Sequence, residues 1–314
     1  MKTALCTVGI VFLACVMGGG AHGDAGIAPV EDERWRVAFT ETFGAENPRE
    51  VHYVLEVEDR QRGERPELVV VEPLLTPEEL AVDLRIIRGT TLVFQYRVVP
   101  YQPNAEGVIL LDLETHETID AFFGLGFALC PGERFWVFQR LIRPRPPSSS
   151  QSAVVLLYDM DRSPEENRLA MDGADPRIDA GFPVYPSYYA ENLTYRWEEQ
   201  LESEKPWYRR ASPFLWRDNG REAVFLVTED RGDAPETALV HLDFGAGVSQ
   251  PQIRERRLDY QALADAAAED RTEPGGLETP QLIHARALEW ADEEEEQVRL
   301  KLDLGRDPLT APLP

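Results

Sequence analysis

Between Phe182 and Trp216 the chain carries ten aromatic residues, in a protein that is 9% aromatic overall. Tyr185, Tyr188, Tyr189, Trp197 and Trp207 stand among Arg196, Arg209 and Arg210. Flat rings interleaved with guanidinium groups suit stacking on sugars, capture of a peptide, or a protein interface, where Tyr, Trp and Arg concentrate. The simpler account is that these rings pack on a sheet edge, since large apolar side chains are usually buried. The expected contact surface is Tyr185, Tyr188, Tyr189, Arg196, Trp197, Trp207, Arg209 and Arg210.

Other chemistry-bearing residues form no constellation. There is no Gly-x-Ser-x-Gly elbow and no Gly-x-x-x-x-Gly-Lys phosphate loop. His52, His116, His241 and His284 are scattered, and the His116–Asp120 stretch lacks the second His that a zinc helix presents. Asp159, Asp161, Glu165, Glu166 and Asn167 hint at a calcium loop, but Pro164 and Ala170 stand where that loop needs Gly and Glu. Cys130 has no base nearby in sequence and reads as a structural thiol. Arg231-Gly232-Asp233 reads as turn residues, and Asn192-Leu193-Thr194 is a glycosylation acceptor only in a eukaryotic host. No catalytic, cofactor or metal site is expected, and the protein is read as non-enzymatic.

The elements that position these residues are strands. Val93-Phe94, Val137-Phe138 and Val224-Phe225 repeat one dipeptide, with Phe spacings of 44 and 87, the second close to twice the first. Each pair is followed by an apolar strand ending in Asp112, Asp159 or Asp243. A fixed period of this length marks stacked or radially repeated units. Three aspartates at equivalent places favour turns, where the carboxylate accepts a backbone N–H two residues on. Asp161–Ala211 stands in the place of a missing repeat, with Glu191–Arg210 partly helical. Tyr260–Arg271 is the one clear helix, capped by Asp259 and ended by Pro274-Gly275-Gly276. Leu282–Trp290 and Val298–Leu304 form a final hairpin, and residues 305–314, rich in proline, form a flexible tail.

The N-terminus has the form of a secretory leader: Lys2, an apolar run from Ala4 to Met17, then small residues to Gly23. Cleavage before Asp24 makes the mature protein periplasmic or extracellular. The alternative is the lipobox-like Phe12-Leu13-Ala14-Cys15, where lipidation of Cys15 would tether the protein to a membrane. The run is too short to span a bilayer, which takes about 20 residues. Beyond it Cys130 is the one cysteine, so no internal disulfide holds an exported domain covering 24–304. A net charge of −24 opposes nucleic-acid binding.

Strand pairs ending in LLDL, LLYDM and LVHLDF, entered through LCPGERFWVF and LWRDNGREAVF, resemble blades of TolB-type β-propellers. The resemblance covers residues 90–160 and 212–245. It implies an all-β, propeller-like array of about five antiparallel sheets carrying an aromatic insertion and one short helix. A β-sandwich-like meander that never closes is the alternative. The family holds periplasmic scaffolds, peptidase gating domains and carbohydrate enzymes. The expected function is therefore an exported protein-binding scaffold, the alternative a carbohydrate-binding or carbohydrate-active protein that uses the insertion.

Overall fold

A computed structural model of the protein describes residues 28–43, 51–63, 65–71, 79–99, 106–142, 152–168, 179–186, 207–210, 212–230, 235–245, 251–259, 285–292, 297–302 and 309–313. The described residues are all-β, and their strands follow one another in an antiparallel meander. The first sheet is β1 (Val30–Glu31), β2 (Trp35–Phe43), β3 (Val51–Asp59) and β4 (Glu67–Val71). The second is β5 (Glu79–Arg88), β6 (Thr91–Val99), β7 (Glu106–Asp112) and the first half of β8 (Thr118–Leu129). The rest of β8 crosses into the third sheet and pairs with β9 (Phe135–Ile142), followed by β10 (Ser152–Asp159) and β11 (Phe182–Tyr185). The fourth holds β12 (Trp207–Arg210), β13 (Leu215–Trp216), β14 (Glu222–Asp230), β15 (Pro235–Asp243) and β16 (Gln252–Leu258). The fifth is β17 (Ala285–Asp292), β18 (Gln297–Leu302) and β19 (Leu309–Pro312).

Four apolar clusters join these sheets in sequence order. Trp35, Val37 and Leu55 of the first sheet meet Leu92, Phe94 and Tyr96 of the second. Val93, Val108 and Phe122 meet Trp136, Phe138 and Leu156 of the third. Val137, Val155 and Tyr185 meet Trp216, Phe225 and Val240 of the fourth, and Val224 and Leu226 meet Val298 and Leu300 of the fifth. Every sheet thus packs face to face on the next, giving a propeller-like array.

The repeated dipeptide follows from this stacking. Successive side chains on a strand point to opposite faces. In each copy Phe lies against the preceding sheet and Val against the following one. All three Phe are fully buried, each contributing roughly 1.5–3 kcal/mol. A sheet covered on both faces reads as a continuous apolar run, which is what Val108–Leu111, Val154–Tyr158 and Ala223–Val227 show.

Two expectations are corrected, on the missing repeat and on the tail. The third and fourth sheets pack directly on each other, so no missing repeat separates the Phe138 and Phe225 strands. Of the Glu191–Arg210 segment, expected as partly helical, the described residues are Trp207–Arg210, which pair with β14 as a strand. The tail expected at 305–314 includes β19, which pairs with β18 and buries Ala311 and Leu313, because alternating apolar residues complete the last sheet. The helix expected over Tyr260–Arg271 and the leader lie outside the described residues.

Candidate functional site

The ends of the outgoing strands gather the densest polar groups. The carboxylates of Asp112, Asp159 and Asp243 accept the N–H of Glu114, Asp161 and Gly245 at 2.7, 3.1 and 2.8 Å, the turn geometry expected from sequence. A fourth copy is Asp59, which accepts from Gln61 at 3.0 Å. The residue after each Asp (Arg60, Leu113, Met160, Phe244) donates its N–H to the carbonyl of Arg34, Thr90, Arg134 or Arg221. This bond closes each strand pair at its base.

Two of the copies add a guanidinium. Arg134 binds Asp159 in fork geometry, at 3.0 and 2.9 Å, and stacks on the Phe135 ring at 4.7 Å. Arg34 donates to Asp59 at 3.0 and 2.9 Å and stacks on Trp35 at 4.4 Å. Hydrogen bonding from Arg34 holds the Asp59 carboxyl below the ordinary carboxylate range, against the opposing effect of desolvation. These aspartates are tied into turns.

The acids of the calcium-like loop are taken up by the protein's own donors. Asp161 pairs with Arg88 and Arg134, and Glu166 accepts from the backbone and hydroxyl of Ser163. Asn167, fully buried, accepts the Asp159 N–H and donates to the Asp159, Arg162 and Ser163 carbonyls. Among the described residues, no group of three or more His, Cys, Asp or Glu is arranged to hold a metal ion.

Sequence reasoning missed a buried ionic centre between the second and third sheets. Asp120 accepts from Arg168 at 2.6 Å, from the Tyr158 hydroxyl at 2.8 Å and from the Ala121 N–H at 2.8 Å. Burial, then the Asp120 charge, pushes the Tyr158 hydroxyl well above its ordinary pKa, so it stays protonated and donates. Tyr158 also stacks on Phe122 at 4.3 Å. The three residues are 38 and 48 positions apart in sequence, and no linear motif announces them. His241 is similarly occupied, 2.9 Å from Glu222, which also pairs with Arg217. Cys130 is buried, with its Sγ accepting the Phe135 N–H at 3.2 Å.

The aromatic segment divides. Tyr185 is 1% exposed, its ring edge-on to Phe225 at 5.5 Å. Phe214 also stands edge-on to Phe225, at 5.0 Å, and the Trp216 Nε1–H donates to the Ala128 carbonyl at 3.1 Å. Tyr185, Phe214 and Trp216 are therefore packing residues between the third and fourth sheets, and Tyr185 leaves the contact surface on that ground. Trp207, Arg209 and Arg210 lie on β12, the edge strand beside β14. Tyr188, Tyr189, Arg196 and Trp197 lie outside the described residues.

No family model matches the chain, and no curated protein matches it by sequence. Among solved structures it is similar to apo prolyl oligopeptidase B from Galerina marginata, at 10% identity and a TM-score of 0.37, over 90% of this chain and 38% of that one. It is also similar to the Dos1 propeller, at 8% identity and a TM-score of 0.31, over 88% of this chain and 55% of that one. The tricorn protease matches at 11% identity and a TM-score of 0.25, over 91% and 34%. The chain spans well under two thirds of each of these proteins. The fold assignment rests on the sheets and their order of packing.

Proposed function

We propose that the protein is an exported, non-enzymatic scaffold of TolB-type blades that binds another protein through the segment between Pro186 and Trp207. The observation that supports this is the anchoring of that segment. It leaves the third sheet through β11, whose Tyr185 is core, and rejoins the fourth through β12 and the buried Phe214 and Trp216. Insertions held at both ends by a rigid scaffold are where binding residues concentrate. The proposed contacts are Tyr188, Tyr189, Arg196, Trp197, Trp207, Arg209 and Arg210, of which exposed aromatic and Arg anchors contribute roughly 1–4 kcal/mol each.

The test compares the full chain with a variant in which residues 187–206 are replaced by a Gly/Ser linker. A specific protein from the cell envelope should crosslink to the full chain and be lost from the variant, with the melting temperature of the sheets retained. Trp197→Ala should likewise weaken binding and leave the melt unchanged. A Trp197→Ala loss of about 3–5 kcal/mol in stability, or undiminished crosslinking by the linker variant, would refute the binding role. Export is checked separately by N-terminal sequencing of the mature protein, expected to begin at Asp24.

A further inference from the structure

Strand β16 forms one edge of the fourth sheet, at the opposite edge from β12. It pairs with β15 on one side, and among the described residues no strand pairs with it on the other. Every second residue of an antiparallel edge strand turns its N–H and C=O outward, so β16 presents a row of unpaired backbone groups. Natural sheets blunt such rows with short strands, prolines, bulges and charge. The other described edges are shorter, contain proline or have an irregular register. β1, β4, β12 and β13 have two, five, four and two residues. β11 and β19 contain Pro183 and Pro312, and β5 and β17 shift register against their partners. β16 has seven residues, no proline and an unbroken register with β15 from Gln252 to Leu258.

Charge is the device left on β16, and charge is selective. Arg254, Arg256 and Arg257 are all exposed, on a chain of net charge −24. Arg254 and Arg256 share one face, about 7 Å apart, level with His241 and Leu239 of β15. Neither has an ion-pair partner among the described residues. The nearby acids are engaged or lie on the other face. Arg257 pairs with Glu236 at 2.9 Å, and Glu222 is held by Arg217 and His241. The Asp243 carboxylate accepts the Gly245 N–H, and Glu255 alternates to the opposite face from Arg254 and Arg256.

We propose that β16 takes up an acidic, extended segment of another protein as an added strand. Main-chain hydrogen bonds to the outward groups hold the segment, and carboxylates at every second position pair with Arg254 and Arg256. The same arginines exclude a second copy of β16, because like charges would then face each other across the new pair. The site rests on β16 alone and does not use the segment between Pro186 and Trp207.

The probe is fluorescein-Thr-Glu-Val-Glu-Val-Glu-Thr-amide, followed by anisotropy as full-length protein is added. Peptides with Gln or Lys in place of Glu are the controls. The Glu peptide should saturate below about 1 mM, and the controls should not. Arg254→Glu/Arg256→Glu should raise the apparent Kd about tenfold or more, gain binding to the Lys peptide and keep the melting temperature. Arg254→Gln/Arg256→Gln should lose affinity for the Glu peptide without gaining the Lys peptide. The variant with a linker in place of residues 187–206 should bind the Glu peptide as the full chain does, which separates this site from the insertion. Hydrogen exchange over fragments covering 252–258 should show outward amides that exchange freely in the free protein and become protected with the Glu peptide. Amides already protected without peptide, by a segment of this chain or a second copy, would overturn the proposal. So would Glu-peptide binding that adds no protection at β16, or no saturable binding at all.

Discussion

Tyr96 faces Gly107 across β6 and β7, and the register leaves no room between them. A Cβ added to Gly107 would lie 2.3 Å from Tyr96 Cζ, 2.4 Å from its hydroxyl oxygen and 2.5 Å from Cε1. Tyr96 is fully buried in the cluster between the first and second sheets, so its ring has no free direction in which to move. Gly107→Ala should therefore act as overpacking, costing about 1–3 kcal/mol. In a Tyr96→Ala background the obstruction is gone. Alanine in a strand is then better than glycine by about 0.5–1 kcal/mol, and the same substitution should stabilise.

The expected signature is a reversal of sign, with a coupling of roughly 1.5–4 kcal/mol between neighbouring positions. Urea midpoints with an unchanged m-value for all four proteins measure it. The Tyr96→Ala background itself loses about 3–5 kcal/mol, within the 5–15 kcal/mol typical of folded domains. Gly107→Ala that is neutral in the natural protein, or equally harmful in both backgrounds, would refute the register. A slip of one residue would turn Tyr96 from the first sheet toward the third.

Glu133 sits at φ 54° in the turn entering β9, where the fourth sheet has Gly220 at φ 66°. Releasing an L-residue from this region gains about 1–2 kcal/mol against about 0.4–1 kcal/mol of added chain entropy, so Glu133→Gly should raise the melting temperature and Gly220→Ala should lower it. Arg34 hydrogen bonding lowers the Asp59 pKa, Arg88 does so for Asp161 and Lys301 for Glu289. Because their folded values lie below the unfolded ones, this stability is present above about pH 4 and is lost as pH falls through the folded values. Urea midpoints should thus be flat from neutral to mildly acidic pH and then fall, with a shallower fall in Arg34→Gln. Val70 is 62% exposed and Val69 6%, so Val70→Lys should stay within about 0.5 kcal/mol of the natural protein while Val69→Lys should prevent stable folding. A costly Val70→Lys would mean that the outer face of the first sheet is covered.

The inner strands were legible because sheets covered on both faces leave continuous apolar runs, and Val-Phe recurs because each copy serves two interfaces. The first sheet hid its membership for a related reason. Its Arg34–Asp59 pair matches Arg134–Asp159, yet Ala38 stands where the other copies have Phe. The Phe of each copy packs on a preceding sheet, and none precedes this one among the described residues. Strand β8 was missed because it serves two sheets through a bulge and carries glycine where side chains cross. A Cβ on Gly124 would lie 2.5 Å from Phe138 Cδ2. Strand β16 is an edge whose residues are nearly all exposed, so no apolar pattern marks it. The aromatic density of the insertion was visible in composition, but which rings pack and which remain for contact depends on strand pairing.

The first and fifth sheets differ from the three between them. In the first sheet Val37, Leu55, Val57, Val69 and Val71 are buried against the second, while Arg36, Glu56, Leu68 and Val70 on the opposite face are partly or fully exposed. In the fifth, Leu288, Val298 and Leu300 are buried against the fourth, while Glu289 and Lys301 pair with each other on half-exposed positions. The first leaves Leu68 and Val70 exposed beside Arg36 and Glu56, and the fifth shows the apolar-in, polar-out alternation expected of antiparallel sheets with one solvated side. The three middle sheets lack it. Among the described residues, no apolar cluster joins the first sheet to the last. Among those residues, packing gives a propeller-like array of five sheets joined in sequence order, each inner sheet serving two interfaces.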